Sequence, residues 1–151
     1  MFKIILIMQT ANEIQLSYQP IIDHKLKLDR PDQVEKYIRS VISDNFISEE
    51  AVAIFLNRSI NPLGYKHLSV GCLTGCIIDV SLICTAALLT RAAAVIVCHT
   101  HPSGNLTPSA NDDKVTKQLK AALALFDITL YDHLIVTPGS FYSYANSNNI
   151  L

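Results

Sequence analysis

Apolar and polar positions change their period several times along this chain. Residues 12–18, NEIQLSY, alternate polar and apolar, the two-residue period of a strand with one wet face, and predict an edge strand. Residues 19–33 hold Pro20, Pro31 and several charges and read as a connector that includes a second short strand at 25–29. From Asp32 the period lengthens. Val34, Tyr37, Ile38 and Val41 recur at helical spacing and predict a helix over 32–43, with Arg30-Pro31 ahead of it because proline is tolerated in a first turn. Residues 51–57, AVAIFLN, form an apolar run bounded by Glu49-Glu50 and Asn57-Arg58, as a central strand would. The turn signal Asn61-Pro62-Leu63-Gly64 follows, then a strand over 65–74 that pairs with the first. Asp79 is placed to cap a helix over 80–92, and residues 93–98, AAVIVC, make a third buried strand ending at His99. Val115, Leu119, Ala122 and Leu123 give helical periodicity to 109–125. Strands over 128–136 and 141–144 close the chain.

Strands thus alternate with helices, which predicts an α/β fold: one layered domain with a mixed β-sheet flanked by helices. The expected organisation is an N-terminal extension over 1–31, carrying the edge strand, and a domain over 32–151. The length of 151 residues suits one domain, and half of them are hydrophobic, enough for a sizeable core. Twelve basic against 13 acidic residues leave a formal charge of −1, which argues against strong direct nucleic-acid binding. No apolar run approaches the roughly 18 residues of a membrane span.

The opening MFKIILIM suggests the core of a signal peptide. Its uninterrupted run, Ile4–Met8, falls short of the roughly 7–15 residues needed, and no small-residue cleavage site follows, so a cytoplasmic chain is expected. Met8 is an alternative start. Cys72, Cys76, Cys84 and Cys98 form no CxxC pair, sit among apolar residues and are expected to be buried thiols.

Chemistry concentrates in Cys98-His99-Thr100-His101-Pro102-Ser103-Gly104-Asn105-Leu106-Thr107-Pro108-Ser109-Ala110-Asn111-Asp112-Asp113. In extended chain, residues i and i+2 point the same way, so His99 and His101 at a strand end would present both imidazoles to one side. Pro102 and Gly104 break the strand. Thr107 is a candidate helix cap with Pro108 at the first helical position, and Ser109 and Asp112 would share a face of the first turn. Two imidazoles and a carboxylate are the ligand set of a catalytic zinc site with an open fourth position. Taken singly, each piece has a plainer reading: Ser-x-x-Asp is commonly a capping box and Pro-Ser-Gly a turn.

The combined string, His-x-His, seven residues, Ser, two residues, Asp, resembles the JAMM motif of the JAB/MPN metallopeptidases, and its fuller form resembles the RadC-like branch of that family. Glu49-Glu50 before a strand ending Phe55-Leu56-Asn57 is similar to the opening strand of that branch. The stretch from Ala121-Ala122 to Leu130-Tyr131-Asp132-His133-Leu134-Ile135 is similar to its closing helix and strand. The likeness covers about 32–150 and lacks the helix-hairpin-helix segment of full-length RadC proteins. It implies an MPN/JAB-like fold, similar in architecture to the cytidine deaminases. It further implies one zinc per chain held by His99, His101 and Asp112, with a glutamate base at Glu49 and Ser109 supporting an oxyanion. Glu50 is the alternative base, since a shift of one residue in strand register turns a side chain to the other face.

Two departures stand out. Thr100 replaces an asparagine common in RadC-like sequences, and Val80-Ser81 stand near the place of a missing Pro-Arg, which removes any binding role tied to that arginine. Asp113 is expected to face solvent, His133 to be a hydrogen-bonded core or supporting histidine, and His24 and His67 to lie on the surface. The resemblance implies a zinc-dependent hydrolase of peptide or isopeptide bonds acting on a protein or peptide substrate. The alternative is a non-catalytic accessory or scaffold protein in DNA repair or DNA metabolism. A zinc deaminase is disfavoured because its H-x-E and P-C-x-x-C signatures are missing. The strand at 12–18 offers an edge for a homodimer or an extended substrate.

Overall fold

The computed structural model describes Tyr18 and residues 26–43, 46–72 and 78–147, the side chains of 70–72 excepted. Within them the chain runs α1 (Pro31–Arg39), β1 (Glu49–Leu56), β2 (Pro62–Cys72), α2 (Val80–Thr90), β3 (Ala94–Thr100), α3 (Ala110–Ala124), β4 (Thr129–Val136), β5 (Phe141–Ser143) and α4 (Tyr144–Ser147). The strands form one mixed sheet in the order β2-β1-β3-β4-β5. β1 is antiparallel to β2 and β3, β3 is parallel to β4, and β5 returns antiparallel to β4. A single α/β domain with a mixed sheet is therefore what the alternating pattern builds.

Strand alternation sorts the apolar residues into two layers. Ala51, Ala53 and Phe55 of β1 pair with His99, Val97 and Val95 of β3. This face packs under Ile83 and Ala87 of α2 and Leu119 and Leu123 of α3. Val52, Ile54 and Leu56, with Cys98, Ile96 and Ala94 opposite, make the other face, covered by Val34 and Ile38 of α1. All seven residues of β3 are buried, and each Leu or Ile so removed from water contributes roughly 1.5–3 kcal/mol.

Parallel neighbours β3 and β4 require a crossover, and α3 supplies it. The end of β3 and the start of α3 therefore meet at one end of the sheet, the usual place for a site in parallel α/β units.

Some boundaries move from those predicted, and each move has a local cause. The first helix ends at Arg39, where the Ser40 hydroxyl bonds to Tyr37 O, although Val41 and Ile42 still pack on the core. Proline opens β2, a position that asks for no amide donor. β1 begins at Glu49 and β3 extends through Thr100, because the Thr100 hydroxyl accepts from Glu50 N at 2.9 Å and prolongs the pairing by one residue. α2 stops at Thr90 with Arg91 left-handed at φ 52°, and Asp79 caps its start as expected.

No strand forms over 26–29. Leu28 is instead fully buried in the core, its amide bonded to Ile60 O, while the Asn61 side chain bonds to Leu26 O. The predicted strand at 12–18 lies outside the described residues except for Tyr18, whose hydroxyl donates to Leu63 O. No described helix is long and apolar enough to cross a membrane.

Candidate metal centre

The site begins where the buried strand β3 runs out. His99 is its penultimate residue and only 2% exposed. One step past the strand, the His101 amide donates to Val136 O at 2.8 Å, which continues the ladder with β4. Both imidazoles therefore stand on the same side, with Nε2 atoms 3.0 Å apart. Gly104, at φ 79°, turns the chain back, and its amide bonds to His101 O. The turn brings Asn105 O within 2.7 Å of His101 Nδ1. A carbonyl only accepts, so His101 carries its proton on Nδ1 and directs the Nε2 lone pair inward.

The helix cap is Ser109, not Thr107. Thr107 belongs to the loop, its amide held by the Asn105 side chain. Ser109 and Asp112 form a reciprocal capping box that satisfies two amides of the first turn at once. Ser109 N and Ser109 Oγ both donate to Asp112 Oδ2, at 2.7 and 2.6 Å, and Asp112 N donates to Ser109 Oγ at 3.1 Å. Oδ2 is thereby fixed, and Oδ1 lies 3.3 Å from His99 Nε2. His101 Nε2 is 4.0 Å from Oδ2.

One ligand atom from each of His99, His101 and Asp112 lies within 4.8 Å of the others. Nitrogen and oxygen donors on a tetrahedral zinc at about 2.0–2.2 Å sit roughly 3.3 Å apart. His99 Nε2 meets that spacing to both partners, 3.0 Å to His101 Nε2 and 3.3 Å to Asp112 Oδ1, while the nearest carboxylate oxygen to His101 Nε2 is Oδ2 at 4.0 Å. Two Nε2 atoms this close cannot both carry protons, and a carboxylate lies beside them, so the donor set fits a divalent cation.

The centre opens into a cavity of about 580 Å³ lined by Glu49, His99, His101, Ser109 and Asp112, with Ser103, Asn105, Thr107 and Pro108 of the loop. Strand register decides which glutamate reaches it. Glu49 shares the face of Ala51 and His99 and lines the cavity. Glu50 is buried on the opposite face, where Oε2 accepts from Ser43 N at 3.2 Å. A second cavity, near Asn57, Arg58 and Arg91, lies at the other end of the sheet.

Behind His99 stands a supporting layer. His99 Nδ1 is 2.9 Å from His133 Nε2, and His133 Nδ1 is 2.6 Å from Thr116 Oγ1. The Tyr144 ring stacks on His133 at 4.9 Å with the planes 10° apart. Burial drives the His99 pKa down to about 4, partly opposed by Asp112, with His101 adding to the fall. Burial, then the neighbouring His99 and His101, holds His133 well below the ordinary range. Both rings are therefore neutral near pH 7.

Most of the expected chemistry-bearing residues converge here, and His133 is the supporting histidine the sequence suggests. Three expectations change. Asp113 does not simply face solvent, because it accepts from the Tyr144 hydroxyl at 2.8 Å. His67 is half-buried, with Nδ1 enclosed and its ring against Tyr65. Cys84 is only half-buried, whereas the Cys98 thiol is buried as expected; the Cys72 side chain, Cys76 and His24 lie outside the described residues. Thr116 and Tyr144 were not apparent from the sequence. Thr116 carried one faint signal, its place one helical turn beyond Asp112; Tyr144 reaches the site only through the β4–β5 return.

Comparison with known proteins agrees with this geometry. The family model for the RadC-like JAB domain matches residues 28–149. A UPF0758 protein of Flavobacterium johnsoniae is 40% identical over 98 residues, covering 65% of this chain and 43% of that protein. One from Pseudomonas fluorescens is 36% identical over 122 residues, 81% of this chain and 54% of its own length. Another, from Paraburkholderia phytofirmans, is 38% identical over 120 residues, 80% and 46% respectively. This chain thus spans about half the length of these relatives. With a His-His-Asp triad that could hold a metal ion where the end of β3 meets the start of α3, and a family match over 28–149, the chain belongs to the RadC-like JAB domain family.

Proposed function

We propose that this chain is a zinc-dependent hydrolase of peptide or isopeptide bonds. The observation that supports it is a carboxylate, Glu49, lining the same cavity as a convergent His-His-Asp set. His99, His101 and Asp112 would hold the ion. When bound, zinc supplies Lewis acidity and brings the pKa of a coordinated water to about 7.

The chain's own groups do the rest. Glu49, half-exposed at the cavity wall, takes a proton from the attacking water and returns it to the leaving amine. The Ser109 hydroxyl is committed to Asp112 at 2.6 Å, so it supports an oxyanion by turning its proton from the carboxylate into the cavity. The polar lining, with Ser103, Asn105 and Asn111, suits the hydrogen-bonding backbone of a peptide.

The test begins with the metal content of purified protein, with His99→Ala beside it. About one zinc per chain, lost in the variant, is the expected result. Peptide and isopeptide substrates are then screened with Glu49→Gln as control; that substitution should cut turnover by roughly 10²–10⁴ while leaving folding and zinc content unchanged. Failure to take up zinc, or full activity in Glu49→Gln, refutes the reading. The first outcome would leave an accessory role for the domain.

A further inference from the structure

We infer that Thr116 and His133 are positioning residues: they form a one-way hydrogen-bond relay that fixes His99 in the tautomer with its Nε2 lone pair facing Asp112 and His101. The significance for metal binding rests on the reading above, but the relay itself is a property of this chain's side chains.

The argument follows the protons. Thr116 Oγ1 lies 2.6 Å from Asp112 O, one turn back in α3. A backbone carbonyl can only accept, so the single hydroxyl proton of Thr116 points there. With that proton placed, Thr116 Oγ1 accepts from His133 Nδ1, at 2.6 Å. His133, 2% exposed and held between Thr116 and His99, spends the one N–H of a neutral imidazole on Thr116, so its Nε2 is a lone pair. That lone pair lies 2.9 Å from His99 Nδ1, which must donate. His99 is left with its lone pair on Nε2.

Reversing the relay would give His99 Nε2 a proton to donate to His101 Nε2 at 3.0 Å, but it would leave two acceptor oxygens, Thr116 Oγ1 and Asp112 O, facing each other at 2.6 Å with no proton between them; that closer contact is the less tolerable and sets the direction. The carbonyl of the ligand residue Asp112 thus orders the ring of the ligand residue His99 through two intervening side chains. Tyr144, stacked on His133 and anchored to Asp113, holds the ring plane.

The experiment uses the full chain, labelled with ¹⁵N and stripped of metal. Long-range ¹H–¹⁵N correlation of the histidine rings reads the tautomers directly. His99 is expected as Nδ1–H in the unaltered protein. In Thr116→Val the anchor is lost, His133 is free to reverse, and His99 becomes a mixture; Thr116→Ser restores the single form. His133→Phe keeps the stack on Tyr144 but removes the acceptor, and it too releases His99.

Zinc affinity, measured by competition with a chromogenic chelator, should fall about 10–100-fold in Thr116→Val and His133→Phe and recover in Thr116→Ser. An Nε2–H tautomer in the unaltered protein overturns the relay. So does a Thr116→Val variant that loses thermal stability while keeping both tautomer and affinity, since that is a packing role alone. If the unaltered protein takes up no zinc while the tautomers behave as stated, the relay stands and the metal reading falls.

Discussion

Mild acid should destabilise the metal-free protein, and His99 contributes a share of the effect that can be worked out. Its pKa is about 4 in the folded chain, depressed chiefly by burial, against about 6.5 in an unfolded one. Between those values the unfolded state binds more protons, so stability is full above the unfolded value and falls as pH drops toward 4. From pH 7.5 to 5.0, His99 is worth about 1.36 kcal/mol times the logarithm of (1 + 10^1.5)/(1 + 10^−1), or roughly 2 kcal/mol.

His133, also depressed by burial, acts in the same direction. Asp132 acts in the opposite direction. Burial raises its pKa, so the folded state gains from its protonation as pH falls. The assay is urea denaturation of chelator-treated protein at both pH values, with His99→Asn as reference. The unaltered protein should lose more between pH 7.5 and 5.0 than the variant does, by roughly 2 kcal/mol. Equal losses would refute the burial argument. Excess zinc during the same titration should add a second pH dependence, because protons compete with the ion for both histidines.

Three further outcomes can be checked by equilibrium unfolding. Thr100→Val leaves the buried Glu50 amide without its acceptor and should cost about 1–3 kcal/mol, with Thr100→Ser recovering most of it. Asp132 accepts from His133 N, Ala145 N and the Ser143 hydroxyl; Asp132→Ala should therefore cost roughly 3 kcal/mol or more, and Asp132→Asn, which keeps an acceptor for the two amides, clearly less. Zinc at a free concentration one hundred times its dissociation constant should raise the unfolding free energy by about 2.7 kcal/mol at pH 7.5, and none of that gain should appear in His99→Ala.

The sequence carries much of this architecture because its periods are clean. Short apolar runs at 51–56 and 94–98, bounded by polar residues, suit strands buried on both faces, and the helical spacing of Leu119 and Leu123 survives unchanged in the core. The His-x-His pair could be placed on one side because strand alternation is a local rule. What was not legible depends on tertiary neighbours. The cap shifted from Thr107 to Ser109 because Asn105 holds Thr107 in the loop. Leu28 joined the core through Ile60 and Asn61, some thirty residues away. Glu49 was favoured over Glu50 by the likeness of its strand alone; that Glu49 lines the cavity while Glu50 turns to Ser43 is visible only in the fold. Tyr144 meets His133 only because β5 folds back on β4.

The double use of Ser109 and Asp112 bears on how such a site would decay. These two residues start α3 whether or not an ion is present, and an exchange at either one forfeits the helix cap. His99 caps no helix, and His101 holds only a single carbonyl, Asn105 O, in the loop. In a descendant that no longer needed the metal, drift would strike the histidines first, while the serine and aspartate persisted under selection for folding alone. Among relatives of this fold, the retained pair of imidazoles is therefore the informative half of the motif, and a surviving Ser-x-x-Asp by itself testifies only to a well-begun helix.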